Sequence, residues 1–360
     1  MKKNEKKLYP FIFDETVIER PWGREVWTVA DMTFVDSVVS DGYLKGNSLS
    51  DLMETYLERM TGEKIYDFYG RQFPLMVKFV DVKGRSPLMV HPSDEIAVER
   101  YDALGKAELW YVLSAEDDAR VSVGFENDIT PSEFFERFRE GKLEKVLHTF
   151  VPHKGDIISI PPGYVHSASG HMKLAAVMES SDLDFILLDH YDAPSDKEAS
   201  ENRQTALSEA FDFINYGKSD VKPLDASSFS CPEFNVNVIN LAEPLKVRTD
   251  KFGGFVIYIC TEGEVSVQVM STRSETQERM TETVVGCGNA VMVPADVQEV
   301  FLVPRDRNTV LVEAVPHLVE MPDSYINPDT EPFLEGEDYE GLEDGLDEDG
   351  LDADSEEDFE

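Results

Sequence analysis

Two stretches of this 360-residue chain, Gly155-Asp-Ile-Ile-Ser-Ile-Pro-Pro-Gly-Tyr-Val-His166 and Gly288-Asn-Ala-Val-Met-Val-Pro-Ala-Asp-Val-Gln-Glu299, can be laid over one another without a gap. Each reads as a turn, a strand of alternating apolar residues and a proline corner, so the chain is expected to carry two copies of one β-barrel module. The match also separates the copies: His166 of the first aligns with Glu299 of the second, and no histidine occurs between His190 and His317. If the module binds a metal ion, only the first copy does.

The surrounding sequence supports a mainly β fold. From Gly70 to about Leu188, β-branched and aromatic runs such as Phe73–Val80, Leu109–Leu113, Ile157–Ile160 and Leu174–Met178 are broken by Gly, Pro and Asp. A second such series runs from Val236 to Val315. Helices are expected in three places. Ser48 precedes Leu52, Met53, Tyr56, Leu57 and Met60, which share a helical face. Thr130-Pro-Ser-Glu133 offers an N-cap, a first-turn proline and a capping-box glutamate before Phe134, Phe135 and Phe138. Ser195-Asp-Lys-Glu198 opens a third helix, with Leu207, Ala210, Phe211 and Ile214 spaced for burial. The expected division is a metal-binding module with helical insertions over 1–190, a helical connector over 191–225, a metal-free module over 226–320 and an acidic tail over 321–360.

Charge narrows the function. The formal net charge is −39, and residues 331–360 hold 16 Asp or Glu with no Lys or Arg, leaving 56 acidic against 33 basic residues in 1–330. So acidic and apolar-poor a tail reads as disordered. Nucleic acid is excluded as a ligand class, because phosphates require a basic surface. No apolar run approaches the roughly 18 residues that span a bilayer. Three scattered cysteines, Cys231, Cys260 and Cys287, form neither a CxxC pair nor a disulfide framework, which points to a reducing cytoplasm. The sequence fixes no oligomeric state.

The chemistry concentrates in the first series. In Met89-Val-His91, period two puts Met89 and His91 on one face, and in Glu108-Leu-Trp110 it pairs Glu108 with Trp110. With His166 these make a His₂Glu set that leaves coordination positions open, suited best to Zn2+ and also to manganese, iron or cobalt. His148, His153, His171, His190 and His317 read as loop or surface histidines.

Four segments occurring in order, Phe73–Lys83, Val90-His-Pro-Ser-Asp-Glu95, Gly105-Lys-Ala-Glu-Leu-Trp-Tyr111 and Pro161-Pro-Gly-Tyr-Val-His166, resemble the type I mannose-6-phosphate isomerases, in particular their short bacterial form. The likeness continues through Ser180-Ser-Asp182 and Asp189, extends to Pro21-Trp-Gly23 and Glu25-Val-Trp27, and covers roughly residues 10–315. It implies a double cupin, a zinc ion held by His91, Glu108 and His166, and interconversion of mannose 6-phosphate and fructose 6-phosphate, so that the partner is a small sugar phosphate. Lys78 and Glu179 are then candidate catalytic groups, and Lys78, Lys83 and Arg85 candidate substrate-binding cations. The chain departs from the family at Met89, where a glutamine is usual, at Ile186, where an arginine is usual, and at Pro87, where a serine is usual, although Ser86 lies one step away. Those departures keep two alternatives open: a catalytically impaired sugar-phosphate-binding cupin acting as a sensor or partner protein, and a metal-dependent cupin with other chemistry.

Overall fold

Alternation along the strand Leu75–Val82 sends Leu75, Val77 and Phe79 into one apolar core and Met76, Val80 and Val82 into another. The strands Glu108–Ala115 and Met172–Glu179 divide in the same way. Leu109, Tyr111, Ala175 and Val177 join the first core, whereas Trp110, Val112, Leu174, Ala176 and Met178 join the second. A sheet buried on both faces must be covered by protein on both sides, and the remainder of the chain supplies that cover.

The computed structural model describes residues 6–192, 196–274 and 277–317; Ser195 and the acidic tail from 321 onward lie outside them. The central sheet has six strands in the order Thr16–Arg20, Gly23–Val29, Leu75–Val82, Met172–Glu179, Glu108–Ala115, Ile157–Ile160. Opposite it is a five-stranded sheet in the order Phe185–Leu188, Leu88–Val90, His166–Ser169, Arg120–Phe125, Leu147–Phe150. The second half repeats this wiring. Phe234–Leu241, Thr309–Pro316, Val256–Glu262 and Asn289–Val293 adjoin as the last four strands of the central sheet do. Leu245–Arg248, Glu299–Pro304, Glu264–Ser274 and Gln277–Gly286 form the facing sheet. The duplication read from twelve residues therefore runs through eight strands of each half.

The two halves meet back to back. Phe234, Phe255, Ile257, Ile259, Ala290, Met292, Val312 and Ala314 share one core with Leu75, Val77, Phe79, Leu109 and Tyr111. At its centre the rings of Phe73 and Phe255, both fully buried, lie 4.4 Å apart. Three short helices, Leu49–Tyr56, Glu58–Thr61 and Glu63–Tyr69, close one end of this core with Leu49, Leu52, Met53, Met60 and Ile65. Gly62, at φ +95, is needed where these helices touch the second half: a Cβ there would meet the Gly253 carbonyl oxygen at 2.5 Å.

The helix signals hold with corrections. Ser48 caps its helix through a capping box with Asp51, but the helix stops at Tyr56, and Leu57 turns to φ 49 before the chain resumes at Glu58. Thr130 caps the helix Pro131–Arg139, yet Glu133 pairs with Arg137 at 3.2 Å instead of completing a box, and Phe135 is exposed. The third helix is Lys197–Ala210, capped by Asp196. Its Leu207 and Ala210 pack with Ile214 on Leu88, Val90, Phe125 and Phe185, so it covers the outer face of the first half's five-stranded sheet. No described helix is long and apolar enough to cross a membrane.

Because Phe255 carries the centre of the shared core, Phe255→Ala should cost about 3–5 kcal/mol of unfolding free energy, read as a lower denaturant midpoint. A loss under 1 kcal/mol would show that the halves do not depend on this packing.

Candidate metal centre

The strand ends inside the first half deliver the three expected ligands to one spot. Glu108 begins its strand in the central sheet, His166 begins His166–Ser169 in the facing sheet, and His91 follows the strand Leu88–Val90 that pairs with it, His166 lying opposite Met89. One donor atom from each lies within 4.8 Å of the other two, and all three side chains are buried. The Nε2 atoms of His91 and His166 stand 3.4 and 3.9 Å from Oε2 of Glu108. Donors each about 2.1 Å from a tetrahedral ion are about 3.4 Å apart, so the set needs little adjustment to share one.

Hydrogen bonds on the far side of each ligand set its orientation. The Nδ1 of His91 lies 3.3 Å from the Leu183 carbonyl oxygen and 3.2 Å from Oδ1 of Asp184. The Nδ1 of His166 lies 3.0 Å from the Tyr164 carbonyl oxygen. With Nδ1–H donating outward, both Nε2 lone pairs face inward, and both of these buried nitrogens lack a hydrogen-bond partner. The Trp110 indole donates to Oε1 of Glu108 at 2.6 Å, leaving Oε2 to the site. Two buried, unpartnered imidazole nitrogens beside a carboxylate would be costly in an ordinary core, and they fit a divalent metal ion.

The electrostatics agree. Burial, then the nearby His91, pushes His166 down to about 4, which leaves its imidazole neutral, the form a metal ion requires. Burial pushes Glu108 up, but the adjoining His91 imidazole, then Lys78 and His166, outweigh it and hold the carboxyl well below the usual range.

The ligands floor a cavity of about 210 Å³ whose wall includes Arg20, Glu25, Lys78, Lys106, Asp184 and Ile186. Glu25 gives Oε1 to Lys78 at 2.7 Å and Oε2 to Arg20 at 2.8 Å, and Lys106 donates to Asp184 at 2.5 Å. Against the downward pull of burial, Glu25 above all holds the Lys78 ammonium above its ordinary range. Met89 and Pro87 also line the wall, beside Ile186.

The other expectations are corrected by position. Lys83 lies past the end of its strand, 61% exposed and paired with Asp81 at 3.3 Å, and Arg85 pairs with Glu144; neither lines the cavity. Glu179 is odd in the register that points Met178 inward, so it faces away from the cavity. Charged side chains that line the cavity and were not singled out in the sequence include Arg20, Lys106 and Asp184. Lys106 had a signal: two residues before Glu108, it shares that ligand's face. Asp184 and Arg20 had none, being brought in by the return of Phe185–Leu188 and by the turn between the first two strands.

No family model matches the sequence. It is 28% identical over 198 residues to a mannose-6-phosphate isomerase of Bacillus subtilis, covering 50% of this chain and 61% of that one. It is 27% identical over 196 residues to the mannose-6-phosphate isomerase of Streptococcus mutans, covering 54% and 58%. The chain thus spans about three fifths of these curated relatives' length in the matched region. In structure, the Bacillus subtilis mannose 6-phosphate isomerase superposes with a TM-score of 0.69 at 19% identity over 85% of this chain and 99% of that one. A variant of the phosphomannose isomerase from Salmonella typhimurium gives 0.63 at 14% over 86% and 100%.

Metal analysis should find one ion bound at this centre per chain, lost in His91→Ala, Glu108→Gln and His166→Ala. Asp184→Asn, which loosens the contact behind His91 along with the Lys106 ion pair, should weaken metal affinity by about 10–100-fold. Full metal content in His166→Ala would remove the centre as described.

Proposed function

We propose that this chain, a divergent relative of the mannose-6-phosphate isomerases, is a zinc-dependent aldose–ketose isomerase interconverting mannose 6-phosphate and fructose 6-phosphate, in the first of two cupin modules. The observation that carries this reading is the pair of inward-facing, unpartnered imidazole nitrogens beside Glu108, at the floor of a small polar cavity. Zinc bound there would supply a Lewis acid for the negative charge that develops on the C1 and C2 oxygens when the carbonyl shifts. Two imidazoles and one carboxylate suit that ion and leave a position open.

The remaining work falls to side chains. Lys106, only 3% exposed, is fixed by Asp184 and offers a donor to substrate oxygens beside the ligands. Lys78 is fixed by Glu25 as a second cation, and Arg20 is a third nearer the mouth, 42% exposed. Three basic and four acidic side chains line the cavity, so a divalent ion turns its local sign from −1 to +1. That reversal matters for an anionic substrate, since the field of a chain with net charge −39 opposes its approach. Ile186, on the wall beside Met89, favours the second reading, a binder of sugar phosphates without turnover, because isoleucine offers an anion nothing.

The deciding assay supplies zinc-loaded protein with mannose 6-phosphate and follows fructose 6-phosphate. Turnover is expected, with Lys106→Gln lowering kcat/KM by about 10²–10³-fold, and Lys83→Ala and Arg85→Ala leaving it nearly unchanged. Tight binding of mannose 6-phosphate with no product would establish the second reading in place of the first.

A further inference from the structure

On the face of the central sheet away from the cavity, three carboxyl groups converge that the isomerase reading does not use. One oxygen each of Asp94, Glu179 and Glu233 lies within 4.8 Å of the other two. They come from distant places: Asp94 opens the helix Asp94–Tyr101, Glu179 ends the strand Met172–Glu179, and Glu233 precedes Phe234–Leu241 in the second half. Two of them are aimed by backbone amides. Gly105 donates to Oδ1 of Asp94 at 2.8 Å, and Ala107 donates to Oε2 of Glu179 at 2.8 Å.

Glu179 poses the physical problem. It is 2% exposed, and its other oxygen, Oε1, is buried with no hydrogen-bond partner. What acts on this carboxyl besides burial is chiefly negative: Asp94 and Glu233 both push it well above the usual range. Burial likewise raises Asp94 and Glu233. A buried carboxyl facing two more is relieved either by a shared proton or by a cation among them, and a cation also engages the oxygens of all three.

We propose that Asp94, Glu179 and Glu233 form a second cation site, for a hard, oxygen-preferring divalent ion of the calcium or manganese type, joining the second half of the chain to the segments that bear His91 and Glu108. All three donors are carboxylate oxygens, the set that selects such ions over zinc. The placement gives the site a structural consequence. Asp94 stands three residues after His91, and the amides held by Asp94 and Glu179 belong to Gly105 and Ala107, just before Glu108. An ion bridging them to Glu233 fixes both ligand-bearing segments against the second half. It needs neither the zinc centre nor turnover to exist.

The test uses the full chain, stripped with chelator, reloaded with one equivalent of zinc and titrated with Ca2+ and with Mn2+ by calorimetry and thermal unfolding. One saturable site per chain is expected for at least one of these ions, with a rise in Tm on binding. Glu233→Gln, at a half-buried position that tolerates the neutral isostere, should weaken that site at least about tenfold and leave the zinc content unchanged. Weak binding by the acidic tail would survive the substitution. The proposal is overturned if wild-type protein shows no saturable site for either ion, or if Glu233→Gln binds as wild type does. It is equally overturned if Tm follows pH but neither cation, the behaviour of carboxyls sharing a proton.

Discussion

The described fold depends on three strands that have no solvent face. The strands Leu75–Val82, Glu108–Ala115 and Met172–Glu179 give alternate side chains to the core between the halves and to the interior of the first half. A one-residue slip of the strand Glu108–Ala115 would send Glu108 into the inter-half core and a large apolar residue into the cavity. The register is therefore held by two apolar cores at once, and the position of Glu108 is fixed by packing on the face it does not occupy.

That double burial explains why the same sheet carries two groups of ionisable residues with opposite characters. Inside, Glu108 has histidines, Lys78 and an indole N–H around it, so its charge is matched. Outside, one residue further along in the neighbouring strand's register, Glu179 has the Ala107 amide and the carboxyls of Asp94 and Glu233 around it. The two sites lie back to back, and the segments His91–Asp94 and Gly105–Glu108 each serve both.

The second half shows what the wiring does without the chemistry. Glu108 pairs with Ile160, just before the proline corner of the first half; the matching pair in the second is Val256 with Val293, just before Pro294. Val256 is fully buried among Tyr258, Val291 and Val293. Where the first half has His166, the second has Glu299, paired with Lys246 at 2.8 Å. Valine thus fills the described interior at the position that matches Glu108, and the sheet of this copy covers the back of the first.

The sequence by itself determined the strand-rich class, the repeated wiring and the grouping of His91, Glu108 and His166, because period-two alternation and the proline corner are local signals that survive without knowledge of the fold. It also placed the caps at Ser48 and Thr130, which act on amides three residues away. What it could not decide were contacts made across the fold. Lys83 and Arg85 are near His91 in sequence, yet the strand end and the following turn carry them outside. Arg20, Asp184 and Glu233 are remote in sequence and arrive through strand pairing. Only tertiary structure decides such partnerships, since side-chain direction follows from the register of a strand with its neighbours and not from distance along the chain.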